Sequence, residues 1–207
     1  MSIRDSLFAK TYDWQIAKSE EAGLHAMRQR LLAGAAGAVL EVGAGTGANL
    51  SCYGPEVESL TVTEPVVPMM RKLERRVSDR GAAAKVLRAP AEDLPFDDEA
   101  FDVAVSTLVL CGVDDQPRAL RELRRVLRPG GRLLFLEHVR SDDPALARLQ
   151  DRLNWLNRIV VRCDCNRPTL STIKQAGFTV ASLERTALPK APKFVGLAII
   201  GVATKPA

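Results

Sequence analysis

Apolar and polar positions fall into blocks along this chain, and the period changes from block to block. Residues 14–33 predict a helix, or two in succession. "AVLEV" (38–42) is a short apolar run that stops at glycines, as a buried strand does. "SLTVTE" (59–64) predicts a second strand. Val67, Met70, Leu73 and Val77 then recur at helical spacing, and Gly81 closes that helix. "AKVLRA" (84–89) is a third strand. "FDVAVSTLVL" (101–110) is a fourth, apolar enough to be covered on both faces. "PRALRELRRVL" (117–127) predicts a helix ended by Pro129, Gly130 and Gly131, and "RLLFLEHV" (132–139) the fifth strand. Asp143 suits an N-cap with Pro144 in the first turn. Leu146, Leu149, Leu153 and Leu156 mark one face of a long helix over 144–162. A short helix near "TLSTIKQAG" (169–177) precedes two β-rich runs, "FTVASLER" (178–185) and "FVGLAIIGVA" (194–203). Eight residues, two of them proline, separate these runs. That suits an antiparallel pair better than a crossover helix. Strands alternating with helices predict an α/β doubly wound sheet in one domain spanning 1–207.

Composition narrows the partners. The chain has 207 residues, 46% hydrophobic and 26% charged, which suits a globular domain with a sizeable core. The net charge of +4 comes largely from arginines in "RKLERR" (71–76) and "RALRELRRVLR" (118–128). These read as solvated helix faces. No aromatic interleaving accompanies them, so no nucleic-acid partner is expected. The four cysteines, Cys52, Cys111, Cys163 and Cys165, form no disulfide framework at this size, and reduced thiols in the cytoplasm are expected. Cys163 and Cys165 lack the paired spacing or nearby histidines of a zinc site, so no metal is expected. "MSIRDSLFAKTYDW" carries Asp5 and no long apolar core, unlike a signal peptide. "FVGLAIIGVA" is too short to span a bilayer as a helix. Peripheral membrane contact and oligomeric state stay open.

The segment "VLEVGAGTGANL" (39–50) holds the candidate chemistry. It follows a predicted strand, precedes a predicted helix, and Glu64 ends the next strand 21 positions after Gly43. Glycines permit a tight turn and close backbone approach to a ligand. A carboxylate at that distance accepts hydrogen bonds from ribose hydroxyls. The loop is G-x-G-x-G, not the G-x-G-x-x-G that sets a helix N-terminus against a pyrophosphate. It also begins with Glu41, whose charge would repel a pyrophosphate and suits a cationic ligand such as an ammonium or a sulfonium.

On these residues the chain resembles the class I S-adenosylmethionine-dependent methyltransferases. The resemblance runs from about 38 to 139 and is carried by "LEVGAGTG", "TEP", "APAEDLPFDDEAFDVAVS" and "LRPGGRLLFLEHV". It implies a seven-stranded sheet whose last strand is antiparallel, with S-adenosylmethionine as donor and S-adenosylhomocysteine as product. It implies three parts: a helical lid over 1–37, a cofactor-binding core over 38–139, and acceptor-side helices with the closing strands over 140–207. Gly43, Gly45 and Gly47, with Glu41, Ala44 and Asn49, would meet the methionine part. Glu64, followed by Pro65, would hold the ribose diol. Ala91 and Glu92 would meet the adenine, and Thr107 would end the strand beside the donor. Many relatives carry Asp two residues before that glutamate. This chain has Pro90, so Glu92 either supplies the adenine contact or is one more surface acid in its loop.

The acceptor is less constrained. After the fourth strand the chain has "STLVLCGV", without the Asn/Asp-Pro-Pro-aromatic motif that steers planar amines. That leaves thiols, quinones and lipids. The combination "GTGAN", "TLVLC", "LRPGG", "LEHV" and "CNRPT" is similar to the branch containing alkyl-thiol S-methyltransferases, which also resembles phospholipid and quinone methyltransferases. A small thiol is the first expectation, a quinone, phenol or lipid amine the alternative, and a binding protein without turnover the reading from another class. His138, at the carboxyl end of the fifth strand, is a candidate general base or a structural histidine. Tyr12, in "KTYDW", is a candidate lid over the reacting centre or a packing aromatic.

Overall fold

The computed structural model describes residues 3–160 and 162–207, with side chains from residue 5 onward. Residues 1 and 2, and residue 161 within the expected 144–162 helix, lie outside that description. Seven strands form one sheet: β1 (Gly37–Val42), β2 (Val57–Thr63), β3 (Ala84–Leu87), β4 (Phe101–Thr107), β5 (Leu127–His138), β6 (Thr179–Ala187) and β7 (Leu197–Thr204). Their order is β3-β2-β1-β4-β5-β7-β6. The first five strands are parallel, and β7 runs antiparallel to both β5 and β6. The flanking helices are α1 (Ile3–Ser19), α2 (His25–Leu32), α3 (Val67–Asp79), α4 (Gln116–Val126), α5 (Pro144–Val160), α6 (Thr169–Gln175) and α7 (Lys193–Gly196).

Strand side chains alternate between two cores, which is why the central runs are apolar throughout. Leu40, Ala104, Leu133 and Phe135 point to one face, beneath Leu120 and Leu123 of α4. Val39, Val103, Val105, Leu134 and Leu136 point to the other, beneath Leu31 and Leu32 of α2 and Leu73 of α3. The strand order reverses between β1 and β4. The crevice at their carboxyl ends is where ligands bind in such sheets.

The structure departs from the sequence pattern in five places, each with a local cause. The N-terminal helix starts at Ile3, not at residue 14, and a π-helical turn at Glu20–Leu24 joins it to α2, with Gly23 at φ 131°. The glycine loop leads into successive turns rather than a helix. Its amides at Gly47, Leu50 and Cys52 bond carbonyls only three residues back. β4 stops at Thr107, because Leu108 takes a left-handed conformation (φ 60°) that turns the chain out of the sheet. β5 begins already at Leu127, and the Pro-Gly-Gly segment bulges within it instead of separating helix from strand. In α5 the leucine stripe is not the packed face. Leu149 and Leu156 are exposed, while Ala147, Gln150 and Asn157 are buried. Gln150 braces the backbone there, donating to the carbonyls of Val139 and Cys165 and accepting from the Ser141 amide.

Candidate functional site

A cleft of about 350 Å³ opens at the β1–β4 crevice. Gly43, Gly45, Glu64, Pro65, Ala91 and Glu92 line it, so the structure brings these six expected residues to one wall. Gly43 and Gly45 both adopt left-handed φ, 57° and 60°. They differ in what surrounds them. A Cβ on Gly43 would strike Val109 at 2.6 Å, whereas one on Gly45 would meet nothing closer than 3.7 Å. Gly45 therefore leaves space on the cleft side that the protein itself does not fill.

Glu64 is 5% exposed. Its Oε2 accepts from the Gly45 amide at 3.0 Å and its Oε1 from the Val66 amide at 2.8 Å. Each oxygen keeps further acceptor capacity. Burial pushes the carboxyl up to about 7, against the two amide bonds that favour its charge. Glu92 Oε1 accepts from the amides of Asp114 and Asp115 at 2.8 and 3.3 Å, pinning the turn after β4 while its residue faces the cleft.

Five other expected residues do not line this cleft: Glu41, Ala44, Gly47, Asn49 and Thr107. Glu41, Asn49 and Thr107 lie beneath the loop in a buried network centred on Arg28, which is 3% exposed. Arg28 donates to Asn49 Oδ1 (3.0 Å), Thr107 Oγ1 (2.9 Å) and Glu20 Oε1 (3.0 Å). Asn49 donates to Glu41 Oε1 at 2.9 Å, and the Tyr53 hydroxyl to Glu41 Oε2 at 2.6 Å. The Glu41 charge expected to face a cationic ligand is thus already hydrogen-bonded and lies near the Arg28 guanidinium. Ala44 and Gly47 are buried in the turn itself.

Helix α1 roofs the cleft with Phe8 and Tyr12, whose rings pack at 5.5 Å between centroids. The helix is latched by Asp13, which accepts from Thr46 at 2.6 Å and pairs with Lys72 (3.1 Å) and Arg76 (3.0 Å). Burial raises the Asp13 carboxyl, but these three partners outweigh it and hold it below its usual range. Burial drives the Tyr12 phenol up to about 12, so at neutral pH Tyr12 keeps its proton.

A second cavity of about 260 Å³ adjoins the first and shares Phe8, Tyr12 and Leu108 with it. Its walls are largely apolar, with Cys111, His138 and Cys163 among them. Among the described residues that line it, Lys190 carries the only formal charge at neutral pH. Burial lowers His138 to about 4, against the pull of backbone carbonyls at Val195 and Leu197, so the imidazole is neutral. Its Nδ1 has no partner among the described residues. Neighbouring Glu137 is fully buried; its Oε1 accepts from Ser106 at 2.7 Å and from the Val109 amide at 3.0 Å, which holds the turn after β4. Sequence reasoning missed Phe8, Asp13, Arg28, Leu108 and Lys190. Phe8 stands four residues before Tyr12, so a helix begun at residue 3 would have placed both on one face.

The geometry agrees with what known proteins resemble. A methyltransferase domain family matches residues 40–135. The chain is 35% identical over 182 residues to the human thiol S-methyltransferase TMT1B, covering 84% of this chain and 74% of that protein. It is 30% identical over 156 residues to a phosphatidylethanolamine N-methyltransferase of Cereibacter sphaeroides, covering 71% and 76%. A solved Thermotoga maritima methyltransferase, described as a possible histamine N-methyltransferase, superposes at a TM-score of 0.73 with 22% identity over 99% of this chain and all of its own.

Proposed function

We propose that this chain, which belongs to the class I S-adenosylmethionine-dependent methyltransferases, methylates the sulfur of a small hydrophobic thiol. The donor is S-adenosylmethionine, the product S-adenosylhomocysteine, and the acceptor a small molecule. The donor supplies an activated methyl on a sulfonium. The protein's task is alignment, which can contribute roughly 7–11 kcal/mol of such a barrier.

In this reading the lid, core and acceptor parts act as one domain. Glu64 accepts from the ribose hydroxyls, the open side of Gly45 admits the methionine part, and the Ala91–Glu92 segment flanks the adenine. Phe8, Tyr12 and Leu108 border both cavities, so the methyl crosses between them. The carrying observation is the second cavity: apolar walls, a neutral His138, and Lys190 as its one charge among described residues. A cation there favours an anionic nucleophile and disfavours an ammonium-bearing acceptor. A thiol ionises in part near neutrality and needs little from a base. The thiol S-methyltransferase relatives support the same acceptor, and the phosphatidylethanolamine relative is the competitor to be tested.

The test is product identification. Labelled donor and a mixed pool of hydrophobic thiols, quinols and phosphatidylethanolamine are given to the purified protein, and products are read by mass spectrometry. A methyl thioether is expected. A methylated quinol or lipid amine without a thioether would refute the assignment.

A further inference from the structure

Three side chains distant in sequence meet at the wall of the second cavity. Cys111 follows β4, His138 ends β5, and Cys163 follows α5. One ligand atom from each lies within 4.8 Å of the other two, and all three residues are buried. We propose that Cys111, His138 and Cys163 form a zinc-binding site whose fourth position faces the acceptor cavity and takes the acceptor's sulfur.

The donor set supports this. Two thiolates and an imidazole are borderline-soft ligands that suit zinc, and three protein ligands with one open position are the pattern of reactive rather than structural zinc sites. Tetrahedral coordination brings sulfurs to about 3.8 Å apart, so the two sulfurs need to close by no more than about 1 Å. The frame is already braced for it. The Asp164 amide donates to the Cys111 carbonyl at 2.8 Å, Arg167 to the Leu110 carbonyl at 3.2 Å, and Gln150 ties the Val139 and Cys165 carbonyls together. The outer groups fit as well. The backbone carbonyls of Val195 and Leu197 pull on the His138 ring, and its Nδ1 has no partner among the described residues, so a ring nitrogen is free to ligate. Cys165 lies outside the three-ligand set and donates its S–H to Cys163 Sγ at 3.6 Å. Charge balances too: two thiolates neutralise the dication, and Lys190, at the cavity wall, is of the sign to offset an added acceptor thiolate.

The chemistry closes. Zinc displaces the Cys111 and Cys163 protons to solvent. The acceptor binds as thiolate and releases its own proton the same way. Its lone pair forms the new S–CH3 bond as the donor's C–S bond breaks, leaving that electron pair on S-adenosylhomocysteine. The neutral thioether is a poor ligand and departs. The fourth-ligand role rests on the thiol reading; the cation site does not.

The experiment uses the full chain, stripped with a chelator and then titrated with zinc or cobalt(II). One zinc per chain should survive gel filtration. Cobalt should give the thiolate charge-transfer and visible bands of a tetrahedral site, and these should shift when an acceptor thiol is added. Cys111→Ser and Cys163→Ala should lose the bands while still binding S-adenosylhomocysteine, which reports their folding. Cys52→Ser and Cys165→Ser should keep them. With zinc, rates across a thiol series should be insensitive to thiol pKa, and the chelated enzyme should be slower by about tenfold or more and follow that pKa. Wild-type protein that binds S-adenosylhomocysteine but retains no metal would overturn the site, as would unchanged cobalt bands in both cysteine variants. Thioether formation unaffected by chelation overturns the zinc role and leaves the thiol reading intact. A cobalt spectrum without thioether from any thiol does the reverse.

Discussion

Glu64 should make cofactor affinity depend on pH in a direction its surroundings dictate. Its carboxyl is pushed from an ordinary 4.5 to about 7 by burial at the cleft wall. A folded value above the unfolded one means the free protein favours the protonated form. That contribution to stability is fully present below the unfolded value and is lost as pH rises through about 7, amounting to about 3 kcal/mol at 1.36 kcal/mol per unit. Ribose hydroxyls donating to the carboxylate reward the charged form, so ligand binding below about pH 7 must expel a proton. With one group titrating near 7 in the free protein and kept ionised by the ligand between pH 6 and 8, affinity should fall about tenfold from pH 8 to pH 6.

Titration calorimetry with S-adenosylhomocysteine, in buffers of different ionisation enthalpy, reads both the affinity and the protons released. Nearly one proton per ligand is expected at about pH 6 and about a tenth at pH 8. The ligand's own groups titrate too, so each quantity is compared with Glu64→Gln, in which they cancel. That variant should bind at least about tenfold more weakly at pH 8, because it loses charge-assisted hydrogen bonds of about 1.5–3 kcal/mol each. Identical pH profiles for the wild-type protein and the Glu64→Gln variant would refute the reasoning and move the ribose elsewhere.

Gly45→Val should lose S-adenosylhomocysteine binding, since its side chain enters space the protein leaves open, while the left-handed φ costs about 1–2 kcal/mol of stability. A variant that binds like wild type would make the loop merely a turn. Asp13→Asn removes the charge that latches α1 to Lys72 and Arg76, so hydrogen exchange over residues 5–19 should accelerate and the donor KM rise severalfold. Unaltered exchange there would show the latch to be idle. Arg28→Met removes the cation paired with Glu20 and bonded to Asn49 and Thr107, leaving the nearby buried Glu41 without that positive charge, and should cost about 3–5 kcal/mol in denaturant unfolding. The double variant Arg28→Met, Glu41→Gln should recover part of that loss, and an additive double variant would argue against the coupling.

Much of the proposed donor half, the cleft at the β1–β4 crevice, was legible because its signals are local. Strand runs such as "LLFL" (133–136) are apolar on both faces, so their burial follows from composition alone. The glycine loop and Glu64 fall at adjacent strand ends, where the sheet itself sets their separation. Boundaries failed where one residue's backbone decides them. Leu108 at φ 60° ends β4 inside an apolar run, and Gly23 sits at a π turn inside a helical one. Side-chain direction failed as well. Glu41 heads the loop in sequence, yet Arg28, thirteen residues upstream, shares a buried network with it beneath the cleft.

The proposed acceptor half has no local signature, and the reason is geometric. Its cavity takes Tyr12 from α1, Leu108 and Cys111 from the turn after β4, His138 from the end of β5, and Lys190 and Val195 from the segment before β7. Spacing rules detect ligands that share a turn or a helix face. Here Cys111, His138 and Cys163 stand 27 and 25 residues apart and meet only because β4 and β5 are sheet neighbours and Gln150 draws the segment after α5 against them. A C-x-C pair that lacks zinc spacing on its own therefore says little, since only one of its sulfurs joins the three-residue cluster. The same geometry separates what mutations should do. Changes in the glycine loop or at Glu64 should act on donor affinity whatever the acceptor. Changes at Cys111 or Lys190, which line only the second cavity, should alter which acceptor reacts while leaving S-adenosylhomocysteine affinity within about twofold, as expected for contacts that do not share a partner.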